Sequence, residues 1–133
     1  MRTAIVLVVA AICCSPALAQ SRAGNAPNVE GRWVGTSEGA AVDRFVTTRS
    51  TFVVTEQQGR AFKAYAIYIE DGGPTRRSEH AGTIAMDNRT IYSVDDSGML
   101  HATLTGPRTM DFCYFASGNI QKTTCGSYVR EAQ

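Results

Sequence analysis

The sequence has little of what usually announces chemistry: one tryptophan, two histidines and no G-x-S-x-G elbow on which a serine nucleophile would sit. It has no C-x-x-C or H-x-x-x-H pair with the spacing of a zinc site. The carboxylates of Asp95-Asp96-Ser97-Gly98 and Glu70-Asp71-Gly72-Gly73 lack the ligand spacing of a calcium loop and read as turn residues. No metal and no cofactor is therefore expected. Charge of one sign is also missing, with 13 Lys+Arg against 12 Asp+Glu and Arg76-Arg77 as the only adjacent basic pair. Nucleic acid, which needs clustered cations to neutralise phosphates, is not an expected partner. The longest apolar run, from Ala4 to Cys14, is shorter than the roughly 20 residues a membrane-spanning helix needs.

What is present begins with MRTAIVLVVAAICCSPALAQ: Arg2, an apolar run, a breaker at Pro16 and Ala17-Leu18-Ala19 as an A-x-A cleavage site. This predicts a signal peptide over 1–19, a flexible polar leader over 20–28 and a single domain over 29–133. Cleavage takes away Arg2, Cys13 and Cys14, so that basic and acidic residues balance and Cys113 and Cys125 are the remaining thiols. An exported chain meets an oxidising compartment, here the periplasm or the exterior of a bacterial cell, where such a pair forms a disulfide.

Past the leader, short β-branched and aromatic runs alternate with turn signals at intervals near ten residues, and no helical period or repeat interrupts them. Strands are predicted over 30–37, 43–55, 61–69, 76–86, 90–94, 99–105 and 108–116, with an eighth ending at Arg130. The fold class is all-β. Because every connection is short, neighbours in sequence should pair antiparallel, and eight strands in such a meander close into a small up-and-down barrel. A Greek-key sandwich, the competing topology, would want longer connections.

The last hairpin fixes a register. Centred on Asn119, it sets Cys113 opposite Cys125, Phe112 opposite Gly126, Met110 opposite Tyr128 and Asp111 opposite Ser127. Directly opposed residues stand within reach of a disulfide. Met110, Phe112, Tyr114 and Tyr128 then face inward, and the disulfide faces out. Leu100, Ala102 and Leu104 alternate inward against an outward His101, while His80 shares an inward parity with Gly82, Ile84 and Met86. The two histidines should not meet. Arg76-Arg77-Ser78-Glu79-His80, directly after the Gly72-Gly73-Pro74 loop, reads as a solvated strand end or as a frame for the barrel mouth.

Gly31-Arg32-Trp33, at the start of an eight-stranded meander, resembles the G-x-W signature of the calycin superfamily, which includes lipocalins, fatty-acid-binding proteins and avidins. The resemblance implies that Trp33 closes one end of the barrel, that Arg130 packs over it, and that Gly31 is structural. It also implies a non-enzymatic exported binding module for a small apolar ligand. Trp33, Tyr68, Tyr92, Met110, Phe112, Tyr114 and Tyr128 are the candidates to line its pocket. The chain departs from full lipocalins in lacking a T-D-Y motif and a C-terminal helix, and from avidins in lacking an aromatic box. It is similar also to small exported metalloprotease inhibitors, which implies the alternative of a periplasmic protease inhibitor or cell-envelope accessory factor. Titratable groups converging in a deep pocket would point instead to an enzyme. Thiol labelling of the exported, unreduced protein should modify no cysteine, and two reactive thiols would refute the disulfide.

Overall fold

The computed structural model describes residues 25–119 and 121–132, so the signal-peptide expectation lies outside the described residues. Eight strands follow one another: β1 (Gly31–Ala41), β2 (Phe45–Gln58), β3 (Ala61–Glu70), β4 (Arg76–Ile84), β5 (Thr90–Val94), β6 (Gly98–Gly106), β7 (Thr109–Ala116) and β8 (Lys122–Arg130). Each pairs antiparallel with the next, and β8 pairs with β1 to close the barrel. The Greek-key alternative is thereby excluded. The fold is all-β, as the short connections predicted.

The strands differ from expectation mainly in their ends. β2 runs on to Gln58 because a bulge between Val54 and Glu56 absorbs a residue, so that the connection expected between the strands over 43–55 and 61–69 tightens to Gly59-Arg60. β1 continues to Ala41. β4 stops at Ile84, two residues early, because the Asp87 carboxylate accepts the N–H groups of Arg89 and Thr90 at 2.9 and 2.8 Å and folds a turn there. Met86, expected to face inward, is consequently exposed.

The register of the last hairpin is the one the sequence predicted, with Cys113 paired to Cys125, Phe112 to Gly126 and Met110 to Tyr128. The two cysteines form a disulfide across that pair, with Cα atoms 4.0 Å apart. It lies on the outer face, next to Glu38 of β1.

Closure depends on glycine. At Gly39 and Gly126, on the β1–β8 seam, an added Cβ would lie 1.9 Å from the Thr123 and Thr36 carbonyl oxygens respectively. Only a residue without a side chain lets the first and last strands approach so closely. Inside, one end of the barrel is filled by apolar side chains, among them Trp33, Phe52, Val54, Phe62, Ile84, Ile91 and Met110. The Phe62 ring occupies the space in front of Gly82, where an added Cβ would lie 2.1 Å from its Cζ.

That filled end is sealed by the chain preceding β1. Trp33 Nε1 donates to the Val29 carbonyl at 2.9 Å, Val29 N–H donates to Gln57 Oε1 at 2.9 Å, and Gln57 Nε2 donates to the Pro27 carbonyl at 2.9 Å. Arg130 lies over the Trp33 ring, 5.5 Å from its centroid, and donates to the carbonyls of Asn28 and Glu30. The flexible leader expected over 20–28 therefore does not extend through its last residues: Ala26 packs against the core and Pro27 and Asn28 are tied to the base. Residues 20–24 lie outside the described residues.

Gly126→Ala should lower stability by at least about 2 kcal/mol in urea unfolding, because its methyl group meets backbone and not a movable side chain.

Candidate functional site

At the opposite end the inward positions change character. Alternation still points Ser37 of β1, Thr48 and Ser50 of β2, Ser78 of β4, Ser93 of β5 and Thr124 of β8 into the barrel, yet these are hydroxyls. Hydroxyls are smaller than the leucines and phenylalanines of the base and do not fill the lumen. A cavity of about 420 Å³ results, within the range of small-molecule pockets. Its floor is aromatic. Phe112 and Tyr128 stack with centroids 4.1 Å apart, and Phe52 lies 6.2 Å from Tyr128 and 5.2 Å from His80. Tyr128 is buried, which pushes its phenol up to about 12, and its hydroxyl shares a 2.6 Å hydrogen bond with Ser50.

A polar cluster occupies one wall. The Asp95 carboxylate, on the β5–β6 turn, accepts the N–H groups of Ser97 and Gly98 at 2.9 and 2.7 Å and the Tyr114 hydroxyl at 2.9 Å, all on Oδ1. Burial, and then this bond to a carboxylate, raises the Tyr114 phenol well above its ordinary range, so it remains a donor. Asp95 Oδ2 stands 3.5 Å from His80 Nε2, and the two side chains are 4% and 2% exposed. Ser78 Oγ is 3.0 Å from the same nitrogen, and Ser93 Oγ is 3.2 Å from Nδ1. A carboxylate beside a bare ring nitrogen would be repelled, so the Nε2 proton faces Ser78 and Asp95, and Nδ1 accepts from Ser93. Burial lowers the His80 pKa despite the neighbouring Asp95, Glu79 and Asp96, and the ring is neutral at pH 7.

This wall brings titratable groups together without assembling a hydrolytic triad. In such a triad the orienting carboxylate and the nucleophile hold opposite nitrogens of the imidazole. Here Asp95 and Ser78 crowd one nitrogen, while Ser93, on the other, is fully buried and also lies 3.3 Å from the Ala81 carbonyl. Among the described residues no group of three or more His, Cys, Asp or Glu is placed to hold a metal ion.

Charges ring the mouth. Glu70 is bonded by Lys122 from across β1 and β2, and by Arg44 at 2.9 Å. Arg76 lines the opening, whereas Arg77 turns outward over the Tyr65 ring, 3.8 Å from its centroid, and pairs with Glu79 at 2.7 Å.

Of the seven residues considered for the lining, Tyr68, Phe112, Tyr114 and Tyr128 border the cavity. Trp33 and Met110 belong to the packed base, because their positions on β1 and β7 lie toward its sealed end. Tyr92 is on the outer face, where alternation along β5 turns it from the lumen and it stacks on His101 with centroids 5.2 Å apart. The two histidines are indeed on opposite faces. Sequence reasoning missed Ser37, Ser78, Thr124 and Lys122, although each shares inward parity with a residue it placed inside, and it missed Ser93 because it turned Tyr92, of the opposite parity on β5, toward the lumen. Asp95 carried no such signal, since a turn has no alternation to read.

The fold and cavity define a small eight-stranded barrel with one sealed and one open end. No family model matches the chain, and no curated protein matches it. Solved structures are similar in fold. EF1p2_mFAP2b bound to DFHBI has a TM-score of 0.63 at 12% identity, over 84% of this chain and 100% of that one. A de novo designed fluorescence-activating β-barrel has a TM-score of 0.58 at 12% identity, over 80% and 96%. The S-type phycobiliprotein lyase CPES from Guillardia theta has a TM-score of 0.58 at 8% identity, over 79% and 89%. At these identities the likeness is one of fold.

His80 is held below its ordinary 6.5 in the folded chain, so below pH 6.5 the unfolded chain takes up a proton the native state refuses. Stability should be full above pH 6.5 and decline as pH falls below it. His80→Gln should remove this part of the slope in thermal melts across pH 5 to 7.5, and an unchanged slope would show that His80 is not its source.

Proposed function

We propose that the protein is an exported, non-enzymatic binding module of calycin-like architecture that holds a small ligand in the open end of its barrel. The observation that carries this reading is the cavity itself: about 420 Å³, aromatic at its floor and polar on its walls, in a barrel whose other end is sealed. The apolar ligand implied by the calycin resemblance becomes an amphipathic one. Its ring or chain rests on Phe52, Phe112 and Tyr128, and its polar atoms meet the hydroxyls, His80 and Asp95. Among the structural neighbours, one barrel is bound to DFHBI and another is fluorescence-activating, which supports a lumen of this kind as a place for small molecules. The outer-face disulfide supports export. In the cluster around His80 the nitrogen beside the Ser78 hydroxyl carries the ring proton and so does not serve that hydroxyl as a base, which favours binding over turnover.

A second reading, an interaction protein, draws on the exposed row of Val94, Met99 and Phe115, which are cross-strand neighbours on the outer face. Native mass spectrometry of protein taken from its own host compartment separates the two: a single extractable small molecule belongs to the first reading, and a co-purifying chain to the second.

The neutral dye N-phenyl-1-naphthylamine should brighten on titration into the folded protein. Ala66→Phe, which fills the cavity from β3, should weaken that binding at least about tenfold while the far-ultraviolet spectrum stays unchanged. Equal binding by both proteins would place the dye outside the lumen and sink the proposal.

A further inference from the structure

We propose that the cavity is built for a small organic cation, an amine on a compact ring, whose ammonium docks on Asp95. This rests on the binding reading above and names the ligand class of the same site.

Asp95 is a buried carboxylate on the cavity wall, 4% exposed, and no Lys or Arg pairs with it among the described residues. The contrast with Glu70 is direct, since Glu70 has both Lys122 and Arg44. A buried carboxylate is stabilised by a cation or by enough donors to occupy its lone pairs. Asp95 Oδ1 has three donors, but Oδ2 has only the longer, 3.1 Å arm of the Tyr114 hydroxyl and the His80 ring at 3.5 Å. His80 does not supply the missing charge, because its burial keeps it neutral. The charged groups that act on His80 are Asp95, Glu79 and Asp96, all negative, so the potential on this wall is negative.

The rest of the cavity suits the same guest. Tyr68, Tyr114, Phe112, Phe52 and Tyr128 line the space with aromatic rings, and the faces of such rings attract a desolvated cation. On the opposite wall the hydroxyls of Ser37 and Thr124, residues only 3% and 4% exposed, line the cavity. Thr48 Oγ1, across from Ser37, is buried and has no hydrogen-bond partner among the described residues. They offer a hydrogen bond to the far end of the guest, such as a ring hydroxyl. The basic residues at the mouth do not contradict this arrangement: Lys122 and Arg44 are engaged by Glu70, and Arg76 stands on the exposed lip.

The test uses three probes of one shape and different charge at pH 7, measured by titration calorimetry on the cleaved, oxidised protein: 2-phenylethylamine, 2-phenylethanol and 3-phenylpropionate. The amine should bind about tenfold more tightly than the alcohol, and the propionate most weakly. Asp95→Asn should abolish the advantage of the amine, because its amide oxygen still accepts from Ser97 and Gly98, keeping the turn while losing the charge. The His80 ring resonances should also shift on addition of the amine. Tightest binding by the propionate, an amine no better than the alcohol, or an amine preference that survives Asp95→Asn would each overturn the proposal. N-phenyl-1-naphthylamine keeps the two levels apart. If it enters the lumen while the amine shows no preference, the ligand class is wrong and the binding reading stands. If neither it nor the three probes enter, both fail.

Discussion

The pairing of β8 with β1 is the contact on which the other features depend. An antiparallel meander of eight strands leaves one row of unpaired N–H and C=O groups at each edge until its first and last strands meet. Here they meet from Trp33 opposite Arg130 to Ala41 opposite Lys122, and glycines at 39 and 126 allow the approach. The same register carries Arg130 to the ring of Trp33 and Lys122 to the mouth, within reach of Glu70. One seam therefore positions both the seal at the base and the ion pair across the opening.

Along the barrel axis, side-chain chemistry changes while the backbone pattern does not. At the base, large apolar residues fill the lumen and contribute the burial that stabilises the chain. Toward the mouth, hydroxyls replace them and leave a cavity, beside which burial keeps His80 neutral. The packed core and the cavity thus sit in different halves of one lumen. The buried Asp95, on the β5–β6 turn of the open half, is stabilised by two backbone N–H groups and a tyrosine and has no Lys or Arg partner among the described residues.

Much of this was legible in the sequence. Period-two alternation in 99–105 and symmetry about Asn119 were enough to set the inward faces of β6, β7 and β8 and the partners of both cysteines, because register and facing are local consequences of the pleat. Strand ends were less legible where a side chain intervened, as with the bulge after Val54 and the Asp87 turn that excluded Met86 from β4. The site was the least legible part. Aromatic residues drew attention, yet Trp33 and Met110 serve the base, since depth along the axis depends on the shear of the whole barrel and not on alternation, and Tyr92 lies on the outer face because alternation along the short β5 turns it there. The polar half of the lumen was written in the inward parity of Ser78, Ser93 and Thr124, but a hydroxyl in a strand looks the same whether it faces water or a cavity.

The disulfide has a further consequence for the open end. Ser117, Gly118 and Asn119, on the connection between β7 and β8, border the cavity, and the strands on either side of that connection are covalently tied a few residues below it. A loop anchored on both sides wanders over fewer shapes before a guest arrives, so less freedom remains to be surrendered when one does. The crosslink stands on the outside of the barrel and, under the binding role proposed above, would act on recognition by narrowing the ensemble of the empty mouth.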